Sequence, residues 1–393
     1  MPLIVSVVKG HDPEMVVPRS IDILGGVEEI VDSGDIVLIK PNIMEPMPPE
    51  TAAVVDPKIV GEVVKLVKSV NPRRIIVGES PAYNFKARDA FRVSGIGEIV
   101  KKLGAEISYF DEEPYMKVDV PNGRILDSIE LPKTVVESDV LINVAKMKTH
   151  GLTGATLAIK NLHGLLQWKD KWFLAHKTDI FYKLTDVIKA VKEKLKLSII
   201  DGIVAMEGQG PALGDIIEDM DVIVAGKDIV AVDAVASAIM GFQPLELPMT
   251  QVAANQGLGN ADLYDIEVKG ETIESVQRHF KRPIISYVSD IPNVIMYIGG
   301  VCQACLTRYN FFMPEVDENK TYAVIMGFNP LIPRDIEANE VHIIGECAIK
   351  STNNLMEKFG KAKIVMTEGC PPMNETVFKN RVEERLKFIC GEI

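Results

Sequence analysis

Scarcity is informative in this chain of 393 residues. Basic side chains are outnumbered: 43 Lys and Arg stand against 55 Asp and Glu, a formal charge of −12. A nucleic-acid binder needs a concentrated basic face, so no nucleic-acid partner is expected. A local basic pocket for a small anion remains compatible with that charge. Long unbroken apolar runs are missing too. The most apolar long stretch, DVIVAGKDIVAVDAVASAIMGF, is interrupted by Lys227, Asp228 and Asp233, and no membrane span is expected. The opening MPLIVSVVKGHDPE lacks a basic segment and has too short an apolar run for a secretion signal. A cytoplasmic protein is expected on those grounds. Cysteine is rare, at 5 residues. In a reducing compartment so few thiols serve as ligands, catalysts or packed side chains rather than as a disulfide framework.

What is present is alternation. Short apolar runs trade places with helical patterns almost throughout, which predicts an α/β protein with a largely parallel sheet and helices on both faces. Strands are expected at IVSVV, IVLIK, RIIVGE, EISYF, VLINVA, LSIID and DVIVAG. Helices are expected over DPKIVGEVVKLVKSV, FRVSGIGEIVKKLG and IFYKLTDVIKAVKEKL, where apolar residues recur at helical spacing. Asp56-Pro57 opens the first of these as an N-cap followed by proline at the first helical position. The length suggests two domains: an α/β domain over residues 1–285 and a smaller C-terminal α/β domain over 286–393 that carries a cysteine cluster.

In the second part, IMYIGG, VIMGF, HIIGE and IVMTEG each reach a glycine within a residue or two, and three of them are followed by cysteine. Loops leaving the carboxyl ends of parallel strands gather on one edge of a sheet. Cys302, Cys305, Cys347 and Cys370 would meet there. Four thiolates suit an iron–sulfur cluster, with 4Fe–4S as the leading type, and the Cys370-Pro371 step supports it. The alternatives are a structural zinc, a Cys302–Cys305 disulfide, or buried thiols. Cys390 reads as a packed thiol in a terminal helix.

The densest polar chemistry upstream is VAKMKTHGLTGATLAIKNLHG, residues 144–164. Its lysines, its glycines and its Gly/Thr-rich centre suit a small anionic substrate. Lys148, His150, Lys160 and Glu207 are the candidate catalytic residues. Lys40, Asn42, Lys146, Thr153, Gly154, Asn161 and His163 are the candidate substrate contacts. Lys40-Pro41-Asn42, Gly78-Glu79-Ser80 and Asp201-Gly202 end other strands and would line the same edge. MEPMPPETAA is expected to be a mobile loop behind Lys40. Asp233, among apolar residues at the start of an expected helix, is expected to cap, to pack or to face the pocket. QWKDKWFLAH, with Trp168 and Trp172, is amphipathic enough to be a docking surface or a homodimer contact, or else a packed helix face.

Taken in order, KPNIM, VGESP, SDVLINVAKMKTHGLTGATLAIKNLHG, IIDGIVAMEGQGP and AGKDIVAVDAVAS resemble the family catalogued as domain of unknown function 362. They cover roughly residues 1–265. The resemblance implies an iron–sulfur association, since members often carry cysteine-rich, ferredoxin-like segments. This chain departs from the ferredoxin run C-x-x-C-x-x-C-x-x-x-C, having one C-x-x-C and two distant cysteines. Three function classes stay open: an iron–sulfur enzyme, a lysine/histidine enzyme with a structural metal, and an electron carrier or scaffold serving a redox partner.

Overall fold

The computed structural model describes residues 3–82, 85–151, 153–167, 180–212, 214–283, 293–299, 316–330, 332 and 336–369. The chain divides into two compact units, Met1–Pro283 and Ile284–Ile393.

The first unit is built on one large sheet. Its strands are β1 (Leu3–Lys9), β2 (Ile36–Pro41), β3 (Arg74–Glu79), β4 (Glu106–Tyr109), β7 (Val140–His150), β8 (Gly154–Thr156), β9 (Leu195–Glu207), β10 (Asp215–Ile217), β11 (Val222–Gly226) and β12 (Ile266–Gly270). The short strands β5 (Tyr115–Asp119) and β6 (Ser128–Pro132) pair with each other. The order across the large sheet is β12-β1-β11-β9-β7-β2-β3-β4, with β8 and β10 folded back on β7 and β9. From β9 to β4 every adjacent pair is parallel. β11 runs antiparallel to both of its neighbours. Parallel strands covered on both faces read as continuous apolar runs. β7 is buried from Val140 to Thr149, and β2 from Val37 to Pro41.

Helix Pro57–Ser69 starts where its N-cap predicts, with the Asp56 side chain accepting from the Lys58 N–H at 2.7 Å. It buries Ile59, Val60, Val63, Val64 and Val67, one face of a 3.6-residue period. The single helix expected over FRVSGIGEIVKKLG is instead two, Ala87–Val93 and Ile96–Lys102. Gly95 lies between them at φ +75, a left-handed conformation that glycine adopts without steric cost. The stretch expected as a mobile loop after β2 is packed: Met47, Thr51, Ala52, Ala53, Val54 and Val55 are fully buried. Its apolar residues outweigh its prolines, and burying them holds the segment against the sheet.

The second unit carries a four-stranded parallel sheet in sequential order, β13 (Val294–Ile298), β14 (Tyr322–Met326), β15 (Glu340–Ile344) and β16 (Lys363–Thr367). One face packs on Ile336, Ala348 and Phe359. The expected helix NNLMEKFG is a run of tighter 3-10 turns over Asn353–Phe359. The expected helix ETVFKNRVEERLKF, Cys302, Cys305, Cys370, Cys390 and the Trp168–Trp172 segment lie outside the described residues.

Candidate functional site

The basic motif does not begin as a loop. β7 continues through it to His150, so Lys146 and Lys148 project from a central strand and are buried, with exposures of 2% and 0%. Register sets their surroundings. Lys40 of β2 lies beside Asn143 of β7, and Lys146 beside Asp201 of β9. The pairing then shifts, with Lys148 opposite Met206. A bulge or irregularity there breaks the register between the two strands.

One network gathers around Lys40. Its Nζ sits 2.5 Å from Glu79 Oε2 and donates to Asn161 Oδ1 and the Pro41 carbonyl, both at 3.2 Å. Glu79 Oε1 accepts from the Ser80 N–H. Asn161 is the hub: its Oδ1 also accepts from Asn42 Nδ2 at 2.9 Å, and its Nδ2 donates to Asn143 Oδ1 at 2.8 Å. Burial pulls the Lys40 amine down and Glu79 pulls it back up. Gly164 closes this network from above. A Cβ there would stand 2.0 Å from Glu79 Oε1 and 2.6 Å from Lys40 Nζ, so the backbone itself lies against the ion pair.

A second network surrounds Lys146. Its Nζ pairs with Asp201 Oδ2 at 2.7 Å, and the same oxygen accepts from the Asp56 N–H at 3.0 Å. Asp201 Oδ1 takes the Ile203 N–H at 3.1 Å. Next along the strand, Lys148 Nζ donates to the Ala53 carbonyl of the packed segment. Desolvation drives the Lys148 amine down to about 7; buried Glu45 pulls it up, and Lys146 and Lys160 push it lower.

Lys160 differs from the other three lysines. It sits on the short helix Ala158–Asn161, whose first N–H groups are held by the Asp233 carboxylate: Ala158 N at 2.7 Å and Ile159 N at 3.1 Å. Asp233 therefore caps this helix. Burial raises its carboxyl to about 7 against those two N–H donors. Lys160 is half-buried as a residue. Desolvation of its packed length, with the Lys40 charge nearby, lowers its amine to about 8; Glu79 opposes the shift. Among the described residues it has neither a hydrogen-bond acceptor nor a carboxylate in ion-pair reach.

The strand-end expectation thus brings together Lys40, Asn42, Lys146, Lys148, Lys160 and Asn161, with Glu79 and Asp201. The others are placed differently. Thr153 lies in the β7–β8 turn and Gly154 opens β8: Thr153 Oγ1 donates to the Ala155 carbonyl at 2.8 Å, and Gly154 takes φ +77 beside Leu247. His150 pairs with Gly154 in that hairpin. Glu207 ends β9 and binds Lys281, accepting from its N–H at 2.8 Å with its Nζ at 3.4 Å. His163 Nε2 lies 3.3 Å from the Nζ of Lys183. The sequence reading passed over Lys183, Glu45 and Asn143. Lys183 had a signal: it falls on the buried face of helix Ile180–Val191, with Ile180, Leu184 and Val187. Glu45 and Asn143 had none, because their placement depends on strand order.

In the second unit, Cys347 lies in the first turn of helix Glu346–Thr352, which leaves the carboxyl end of β15. The Glu346 N–H donates to the Gly369 carbonyl at 3.2 Å, and the Gly345 N–H to the Thr367 carbonyl at 2.8 Å. Glu346 precedes Cys347 and Gly369 precedes Cys370 in the sequence. Gly327, Gly345 and Gly369 all take positive φ at this rim. Among the described residues no three His, Cys, Asp or Glu side chains converge as a metal site, and three of the four expected thiolates are not among them. No helix of the described residues is long and apolar enough to cross a membrane.

Residues 37–238 match the family model described as Domain of unknown function (DUF362). A thylakoid-associated protein of Synechocystis sp. is 31% identical over 241 residues, 60% of this chain and 72% of that one. Two solved structures run along much of the chain at low similarity. The lactate racemase apoprotein from Thermoanaerobacterium thermosaccharolyticum has a TM-score of 0.39 at 12% identity, covering 96% of this chain and 85% of its own. A Thermotoga maritima protein has a TM-score of 0.36 at 11% identity, covering 82% and 73%. At those values neither transfers a site or an activity to this chain. The family match spans more than half of the residues, and the chain belongs to the domain of unknown function 362 family.

Proposed function

We propose that this member of the domain of unknown function 362 family acts on a small anionic metabolite, held at the carboxyl-end rim of β2, β3, β7 and β9. One observation carries the reading. Of the four lysines at that rim, Lys40 and Lys146 are ion-paired, while Lys148 and Lys160 make no ion pair among the described residues and feel Glu45 and Glu79 only at longer range. An ammonium removed from water without a counter-charge is costly and gives up its proton instead. A carboxylate or phosphate beside Lys148 and Lys160 would provide the missing charge. With the anion held, the near-neutral amine of Lys160 is suited to exchange a proton with the substrate. Thermal-shift titrations with malonate, succinate, citrate and inorganic phosphate test this. At least one should raise the melting temperature of the wild type and leave Lys148→Met unmoved. No stabilisation by any of them would overturn the reading.

A second proposal concerns the cysteine rim: an iron–sulfur cluster, of 4Fe–4S type, on Cys302, Cys305, Cys347 and Cys370, with structural zinc as the alternative. The bond joining the chain neighbours of Cys347 and Cys370 supports it, as do the positive-φ glycines, which let backbone approach a bulky group. A bound cluster would supply electron transfer or a Lewis-acid iron. Electron transfer would require a redox partner protein, and a reducing cytoplasm suits the thiolates. Protein prepared without oxygen should contain iron and absorb broadly in the visible, and Cys347→Ser should lose most of both. Stoichiometric zinc without iron would replace this proposal with the structural-metal alternative.

A further inference from the structure

We propose that Lys160 is a covalent catalytic residue, whose amine condenses with the carbonyl carbon of a small 2-oxo acid to form an imine at the rim of the sheet. This rests on the anion-binding reading above, which supplies the site for the acid's carboxylate. The argument begins with elimination among the lysines. Lys40 Nζ donates to Glu79, Asn161 and Pro41, Lys146 Nζ to Asp201, and Lys148 Nζ to Ala53. Their hydrogen bonds point them at protein acceptors. Lys160 alone of the four has no described acceptor, and it alone is half-buried where the others are buried.

Its backbone is fixed on both sides. Asp233 holds the N–H groups of Ala158 and Ile159, and the Asn161 side chain is bonded to Asn42, Asn143 and the Val144 carbonyl. A tethered backbone with an uncommitted amine is the arrangement a nucleophile needs, because the entropy of positioning is spent in folding. The surroundings also favour the neutral, nucleophilic amine. Burial and the Lys40 charge lower its proton affinity to about 8, and a lysine desolvated beside another cation is activated in this way.

The step balances without any oxidant. The Nζ lone pair attacks the carbonyl carbon, a C–N bond forms and the carbonyl π pair moves to oxygen. One Nζ proton passes to that oxygen to give a carbinolamine. Loss of the hydroxyl, with the second proton, releases water and leaves C=N. Glu79 lies near enough to be felt electrostatically at Lys160 and would favour the protonated iminium.

Borohydride trapping tests the proposal on the full chain. Protein is mixed with glyoxylate, pyruvate or 2-oxoglutarate, reduced, and mapped by peptide mass spectrometry, with succinate binding measured in parallel. The expected result is one stoichiometric adduct at Lys160 with at least one of the acids. With the acid at saturating concentration, its yield should rise as pH increases through about 8 and vanish in Lys160→Arg. Succinate binding without any adduct, or with adducts scattered over surface lysines, overturns the imine and leaves the anion site standing. Absence of any adduct, together with no stabilisation by malonate, succinate, citrate or phosphate, overturns the two readings together.

Discussion

Two strand rims differ in how they use polar chemistry. In the first unit Lys40, Lys146 and Lys148 sit on the strands themselves, inside a sheet whose central strands are buried on both faces. In the second unit the outer strands are partly open, with Ile295 at 51% and Met366 at 43% exposure, and Cys347 lies just past a strand end. Buried lysines within strands must be matched by partners that arrive from other strands and from helix Ala158–Asn161. Thiols past a strand end need only tight turns and one another. The first rim is therefore coupled to folding, and the second can be altered without disturbing a core.

That contrast predicts a hierarchy of effects. Lys40→Ala should be the most damaging change, because it leaves Glu79 buried at 3% side-chain exposure without its cation. Stranding one member of a buried pair costs about 3–5 kcal/mol, measurable as a drop in the urea midpoint. Cys347→Ser should cost far less in the same assay; an equal loss would erase the distinction between the rims. Gly164→Ala comes next, since its Cβ would collide with both Glu79 and Lys40. Overpacking of this kind costs about 1–3 kcal/mol, and succinate binding should weaken with it. Asp233→Ala should follow at about 1–3 kcal/mol, the cost of leaving buried N–H groups unsatisfied. Here the loss of Lys160 trapping should exceed the loss of stability.

The smallest effect is on pH dependence. The folded Lys148 amine is lowered to about 7 from 10.5. Between those values the unfolded chain binds more protons, so this group makes stability rise with pH across that window and penalises the fold fully below it. Lys148→Met should flatten the rise and be relatively more stable at pH 6 than at pH 10. An unchanged slope would mean that the amine titrates normally.

Much of the fold was legible because apolar runs and caps report local structure. The strands through DVIVAG and the Asp56-Pro57 start are examples. The order β9-β7-β2-β3 was not legible, and that order is what brings Lys40 to Glu79 and Asn161. Strand-end logic placed Lys40, Lys146, Lys148 and Lys160 on one edge with Glu79 and Asp201, but did not show which carboxylate meets which lysine. It also drew in Thr153, Gly154 and Glu207, which serve a turn and a hairpin end. The long continuation of β7 escaped notice because lysines in a run usually mark a solvated segment, and only ion pairing makes their burial tolerable. The split at Gly95 and the packing of MEPMPPETAA were missed for a shared reason: helical period and proline content each describe a segment without the surface it lies against.

The account stands or falls on whether the rim of β2, β3, β7 and β9 binds a small anion through Lys148 and Lys160. The direct measurement is the dissociation constant of the best-binding acid by calorimetry at pH 6.5 and pH 9. With amines at about 7 and about 8, affinity should fall at least about tenfold over that interval, as protonated lysine is depleted. Binding that is equally tight at both pH values, or that survives Lys148→Met undiminished, would contradict the account.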